Sequence, residues 1–334
     1  MPAASIFNAY VTASAVSAAV QLGLLDDVHK RGTVAVDEFG DQLDLYGPAV
    51  RSVADVLVQD NILAVVEPNP FVVGAGPAFD DIWVNKGYFL WLVRGYGDML
   101  SRVGELSANT GRDGVSHLRS GRAIAQAGKD YGARFVDPVI SDIVAELDFS
   151  VMADLGCGSA NRIIELAKRH PDKRFIGVEV DPGAVDVARG AVERAHLSDR
   201  IEIVHDDIRR LRERPEYADV DALLCFFLGH DFWPREDCLA TLDRLRRRMP
   251  KVRNFLLSDT YRSPGRFGDR PPIFTQGFEL THAVMGQHVP TVEDWVDLFE
   301  SSTWNLRQRT ELGIAFSEVF HLTPRTVDPR SIDV

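Results

Sequence analysis

Cysteine is scarce: three in 334 residues, Cys157, Cys225 and Cys238, none in a C-x-x-C pair. This excludes a disulfide framework and a thiolate zinc site, and it fits a reducing, cytoplasmic setting. Positive charge is in deficit as well. Lys and Arg total 37 against 49 Asp and Glu, a net charge of −12. Nucleic acid asks for the opposite, clustered Lys and Arg facing phosphates. No run reaches the ~18 uninterrupted apolar residues of a membrane span. The alanine-rich stretch up to Leu25 lacks a basic leading segment and is interrupted by Asn8, Tyr10 and Gln21. It therefore reads as a buried helix and not as a signal peptide. Internal repeats and low-complexity segments are missing too. What is present, 45% hydrophobic and 26% charged residues, is ordinary globular composition at a length for about two domains.

Residues 6–25 form a helix apolar nearly all round, a pattern that predicts burial, often against another chain. Further helices are predicted at 34–39 and 47–59. A β-hairpin follows, with strands 62–66 and 71–73 flanking Glu67-Pro-Asn-Pro70. Helices followed by a hairpin describe a winged-helix-like module over 1–80. Between Asp26 and Asp60 acids outnumber Lys30, Arg31 and Arg51, so this surface repels phosphate, and the module reads as a homodimerisation domain. Residues 81–147 are a mainly helical connector rich in aromatics, Trp83, Tyr88, Phe89, Trp91 and Tyr96 among them. Pockets favour such junctions, so it is predicted to roof an active-site cleft. Residues 148–323 form the catalytic domain, and 324–334 a loose polar tail.

The chain turns on residues 151–159, Val-Met-Ala-Asp-Leu-Gly-Cys-Gly-Ser. An apolar run ends in Asp154, then comes Gly156-x-Gly158, then a helical pattern over 162–170. Such glycines let backbone approach a ligand, and the helix start offers free N–H groups. A second strand, 175–179, ends in Glu179, an acid placed to suit ribose hydroxyls. A third, 201–204, runs into Asp206-Asp207, and a fourth, 221–228, into Gly229-His230-Asp231. The dinucleotide pattern needs a third glycine, but Ser159-Ala160-Asn161 follows. A fifth strand is expected at 252–259, a Gly/Pro/Arg loop at 264–272, a cleft-side helix at 273–285, a helix capped by Thr291, and closing strands at 304–310 and 315–322. The set resembles the class I S-adenosylmethionine (SAM) methyltransferases, whose fold is α/β with a Rossmann-like doubly wound sheet. The resemblance implies Asp154, Gly156 and Gly158 beside the methionine part of SAM, Glu179 on the ribose, and Asp206-Asp207 at the adenine, with Asp207 facing its amino group. His205, nearby, reads as packing.

The chemistry depends on two histidine motifs. Gly229-His230-Asp231-Phe-Trp-Pro-Arg-Glu236 stands at the carboxyl end of the fourth strand, where ligands bind in open α/β sheets. One histidine there is a general base or a structural residue. Phe278-Glu-Leu-Thr-His282-Ala-Val-Met-Gly286 then brings a second histidine to the cleft-side helix. Both motifs, with Pro290-Thr-x-x-x-Trp295, resemble the metal-dependent 2-oxo acid C-methyltransferases, which β-methylate acids such as phenylpyruvate, 2-ketoarginine and 4-methyl-2-oxovalerate for nonribosomal peptide antibiotics. The resemblance implies a small-molecule 2-oxo acid substrate and one metal ion, iron first and zinc second, on His230 and His282, with Asp231 beside it. It also implies that Arg119, in His117-Leu-Arg-Ser-Gly-Arg122, holds the substrate carboxylate, and that Trp91 and Tyr96 line the side-chain pocket. Arg122 and Lys129 are alternatives to Arg119, and His288 is a rival for His282. The other activity that these residues allow is metal-independent O-methylation with His230 as base.

Overall fold

The computed structural model describes residues 2–110, 112, 114–265 and 271–325. It divides into two compact units, with the boundary between Arg134 and Phe135. The boundary falls inside the segment read as a connector, so most of that segment belongs with the N-terminal module. Most of the Gly/Pro/Arg loop and the tail beyond Arg325 lie outside the described residues.

In the first unit, α1 (Ala3–Leu22) is stopped by Gly23 at φ 82, a left-handed cap that glycine adopts without steric cost. Then come α2 (Leu24–Arg31), β1 (Thr33–Ala35), α3 (Val36–Gln42), α4 (Gly47–Gln59), β2 (Leu63–Pro68) and β3 (Phe71–Ala75). The strands form an antiparallel sheet in the order β1-β3-β2. The helix expected at 34–39 is corrected: Thr33–Ala35 pairs with β3, and the helix starts only at Val36. The second half of α1 is buried through Ala15, Val16 and Ala19, whereas Ile6, Phe7 and Tyr10 are 61, 73 and 70% exposed. By length and composition α1 could also cross a membrane, with a mean hydropathy of 1.4. Beyond the sheet lie α5 (Phe79–Phe89), a π-helical turn (Leu90–Gly95), α6 (Gly97–Leu100), α7 (Val103–Leu106), a 3₁₀ turn (Val115–Leu118) and α8 (Gly121–Tyr131).

The second unit holds α9 (Asp137–Ala145), β4 (Val151–Leu155), α10 (Asn161–Arg169), β5 (Arg174–Glu179), α11 (Pro182–Arg194), β6 (Ile201–His205), β7 (Ala222–Phe226), α12 (Arg235–Arg248), β8 (Asn254–Thr260), α13 (Thr275–Met285), α14 (Val292–Glu300), β9 (Trp304–Glu311) and β10 (Ser317–Pro324). Its sheet runs β6-β5-β4-β7-β8-β10-β9, parallel through β8 and antiparallel at β10 and β9. β4 and β7 are buried at every position, which is why they read as unbroken apolar runs. Asp181 caps α11 ahead of Pro182, and Thr291 with Asp294 forms the capping box that starts α14. The strand order reverses beside β4, between β5 and β7, and this places the open crevice at the carboxyl ends of β4 and β7.

Trp295 and Phe299 of α14 stack at 5.5 Å, and Phe299 meets Phe320 of β10 at 5.3 Å. Trp295 is fully buried, so truncation leaves a cavity that its packed neighbours fill only in part. Trp295→Ala is expected to cost about 3–5 kcal/mol, read as a lower denaturant midpoint at an unchanged slope.

Candidate active site

At the end of β4 the chain makes a turn that only glycine fits. Gly156 has φ 77, and a Cβ there would stand 2.7 Å from Cδ2 of Leu228. Its N–H and that of Cys157 donate to the Val178 carbonyl at 2.8 and 3.1 Å, tying the turn to β5. Gly158 N–H donates to Oε2 of Glu179 at 2.9 Å, and Val180 and Asp181 N–H donate to Oε1 at 2.8 and 3.0 Å. The carboxylate at the end of β5 is thus fixed beside the glycine turn. The start of α10 has no side-chain cap, so its first N–H groups take no acceptor from the cap residue.

Asp154 is buried, and burial raises its pKa to about 6. Arg162 opposes the rise, while Asp137 and Glu179 add to it. The two carboxylates at the end of β6 differ. Burial alone would raise the pKa of Asp206, but hydrogen bonds from Arg214, Tyr217 and Arg212 hold it below the usual carboxylate range. Its oxygens are committed to Arg214 Nε at 3.1 Å, Arg212 Nε at 3.3 Å and the Tyr217 hydroxyl at 3.1 Å. Asp206 therefore builds the turn. Asp207, its neighbour, caps the next 3₁₀ turn through the Arg209 N–H at 2.9 Å. His205 Nε2 donates to the Val180 carbonyl at 3.0 Å.

The other half of the site begins where β7 stops. Phe227 takes φ 54, and a 3₁₀ turn, Gly229–Phe232, presents His230 and Asp231. Any Cβ on Gly229 would meet Asp259 Oδ2 at 2.8 Å and Trp295 at 3.0 Å, so this turn too needs glycine. Asp259, at the end of β8, is fully buried. It accepts the His230 backbone N–H at 2.5 Å, the His230 ring through Nδ1 at 2.8 Å, and the Thr260 N–H at 2.8 Å. On α13, His282 Nδ1 donates to the Phe278 carbonyl at 2.7 Å. The two imidazoles come together, with ring centroids 4.9 Å apart and planes at 80°. Phe278 packs against both, at 5.5 Å from His230 and 3.9 Å from His282. Asp231 Oδ1 is 3.9 Å from His230 Nε2 and accepts from Gln287 Nε2 at 2.5 Å. His288 is not part of this pair; it is exposed and packs on Trp233 at 5.1 Å.

Among the residues named from sequence, the structure gathers Asp154, Gly156, Gly158 and Glu179 on one turn, and His230, Asp231 and His282 around one point. Three partners were missed. Asp259 carried a signal, an acid ending a strand. Phe278 was visible only as part of a motif. Gln287 carried little, being the residue after a helix-ending glycine. Trp91, Tyr96 and Arg119 belong to the first unit. Trp91 and Tyr96 are buried there, with ring centroids 4.4 Å apart. Ser120 N–H donates to the Gly95 carbonyl at 2.8 Å, joining the segment of Arg119 to that of Tyr96. Arg119, Arg122 and Lys129 are all exposed, so exposure does not choose among them.

Residues 152–251 match the family described as "Methyltransferase domain". The chain is 38% identical to "Methyltransferase ungE'" of Aspergillus campestris, over 96% of both chains. It is 28% identical to the indolepyruvate C-methyltransferase of Streptomyces griseus, over 71% of this chain and 69% of that one. Among solved structures, human N-acetylserotonin methyltransferase in complex with SAM matches with a TM-score of 0.71 at 16% identity, over 96% of each chain. The mitomycin 7-O-methyltransferase MmcR matches with a TM-score of 0.66 at 16% identity, again over 96% of each. These two likenesses are of fold. The glycine turn laced to an acid at the end of β5, in a seven-stranded sheet, agrees with the closer sequence relatives, and the chain belongs to the class I SAM-dependent methyltransferases.

Proposed function

We propose that this methyltransferase transfers the methyl group of SAM to C3 of a 2-oxo acid, with one metal ion held by His230 and His282. The observation that carries the reading is the meeting of two imidazoles from separate segments, each with Nδ1 engaged by an acceptor. A ring that donates through Nδ1 carries its lone pair on Nε2, and ligating histidines are oriented in this way by a carboxylate or a carbonyl. The donor set therefore fits a cation, and imidazole suits iron and zinc alike. Among the described residues no cluster of three or more His, Cys, Asp and Glu side chains forms a metal site. A bound cation would supply a Lewis acid for the oxygens of the keto acid.

The chain's own residues then have distinct tasks. Glu179 receives the ribose hydroxyls, Asp207 the adenine, and the turn of Asp154, Gly156 and Gly158 the methionine part. Arg119 holds the substrate carboxylate, and Trp91 and Tyr96 shape the room for its side chain. The named substrate of the 28% identical relative, indolepyruvate, is itself a 2-oxo acid, which supports the class. The product, a 3-methyl-2-oxo acid, suits conversion to a β-methyl amino acid for nonribosomal peptides. One observation favours a second reading, O-methylation with His230 as base: the buried Asp259 orients His230 as a carboxylate orients a catalytic histidine. The two readings part at His282, which O-methylation does not need. The exposed apolar half of α1 supports a homodimer formed through this helix.

His230→Ala and His282→Ala are each expected to abolish C3 deuterium exchange of a 2-oxo acid, measured without SAM, and to leave SAM affinity within about threefold. Exchange at the wild-type rate in both would reject the metal role. SAM binding is expected to be linked to a proton. Because the pKa of Asp154 is raised to about 6 from 3.8, the folded chain keeps a proton that the unfolded chain has released between these values. Its contribution to stability therefore falls as pH rises through that window. The sulfonium and ammonium of SAM favour the ionised form, so affinity rises from about pH 5 to 7 and then levels off. Calorimetry should show this slope, and Asp154→Asn should flatten it. Phe7→Asp with Tyr10→Asp should turn a wild-type dimer into a monomer by light scattering, whereas a dimer mass kept by the variant would place the contact elsewhere.

A further inference from the structure

Gln287 lies outside every motif that pointed to the site, yet its side chain reaches into it. It is the second residue beyond α13. Gly286, at φ 75, gives its N–H to the Ala283 carbonyl at 3.0 Å, and Gln287 gives its own N–H to the His282 carbonyl at 2.9 Å. These are the paired bonds of a glycine-ended helix, and they fix Gln287 to the residue that carries the second imidazole. From there Nε2 donates to Asp231 Oδ1 at 2.5 Å. The amide cannot be turned round, since an ionised carboxylate only accepts and a glutamine oxygen only accepts. Oδ1, the same oxygen, stands 3.9 Å from His230 Nε2. The far end of the amide, Oε1, is buried without a partner among the described residues.

We propose that Gln287 is a positioning residue that holds the Asp231 carboxylate beside His230 Nε2 as the acceptor of the C3 proton. The inference rests on the 2-oxo acid reading given above. The C3–H bond breaks and its proton passes to a carboxylate oxygen of Asp231. The electron pair becomes the C2–C3 double bond, and the carbonyl pair moves onto the keto oxygen. The resulting enolate carbon bonds to the methyl of SAM as the methyl–sulfur bond breaks, its electron pair staying on sulfur. The Asp231 side chain is 26% exposed, so the proton can leave to water. A carboxylate free to rotate would spend most of its time elsewhere, and holding it in place is where the rate is gained.

The test uses the full-length enzyme with indolepyruvate, following C3 deuterium exchange without SAM and methyl transfer with it. Gln287→Leu removes the donor at similar size. Gln287→Glu keeps size and an acceptor oxygen but sets a second charge against Asp231. Both are expected to lower the exchange rate and kcat about 10- to 100-fold, the worth of a hydrogen bond to a charged group. KM for indolepyruvate, SAM affinity, bound metal and melting temperature should stay near the wild-type values, a split that a merely structural role would not produce. Wild-type exchange and kcat in both variants would overturn the proposal, as would a fall in kcat that tracks loss of metal or of fold. If the wild-type enzyme exchanges C3 in no 2-oxo acid, the reaction reading fails first and the role of Gln287 falls with it.

Discussion

The site depends on one buried carboxylate. Asp259 takes both the backbone N–H and the ring Nδ1 of His230, and a third N–H from Thr260. Satisfied three times, it fixes at once the position of the 3₁₀ turn, the orientation of the imidazole and the nitrogen that carries the lone pair. The surroundings serve that clamp. Gly229 has no Cβ because Asp259 and Trp295 fill the space. Trp295 in turn belongs to the aromatic core that joins α14 to β10. The second imidazole needs less help, since the Phe278 carbonyl one helical turn earlier holds His282.

The SAM side follows a different logic. There the acids are held by backbone N–H groups, or, for Asp154, simply buried. Asp154 destabilises the ligand-free fold once ionised, which is understandable if the missing positive charge arrives with the ligand. Glu179 accepts three backbone N–H groups and so is preset in direction, with acceptor capacity to spare. One half of the site is thus rigid through side-chain contacts and the other through the sheet's own backbone.

Much of this was legible because buried parallel strands write themselves as apolar runs. The four strands running into Asp154, Glu179, Asp206 and Gly229 could be located by their apolar runs and spacing, and Thr291 announced its helix through its cap. What escaped had weaker local signals. Thr33–Ala35 is too short to show an alternating period, so only its pairing with β3 reveals a strand. Phe227 sits at φ 54, where nothing in an aromatic side chain announces a left-handed backbone. Asp206 and Asp207 are adjacent and identical, and only the arginines folded over Asp206 tell them apart. Asp259 and Gln287 act on residues distant in the chain, and no pattern of spacing encodes such a partner. The two histidines had the same difficulty: the sequence supplied them, and the folding of α13 over the β7 end brought them within 4.9 Å.

The measurement that bears most directly on the account is where the methyl group goes. The purified enzyme, given 13C-methyl SAM and a panel of 2-oxo acids, should yield a product whose labelled carbon couples directly to C3, as carbon NMR will show. A labelled methyl found on oxygen would contradict the account and leave His230 as the base of an O-methyltransferase.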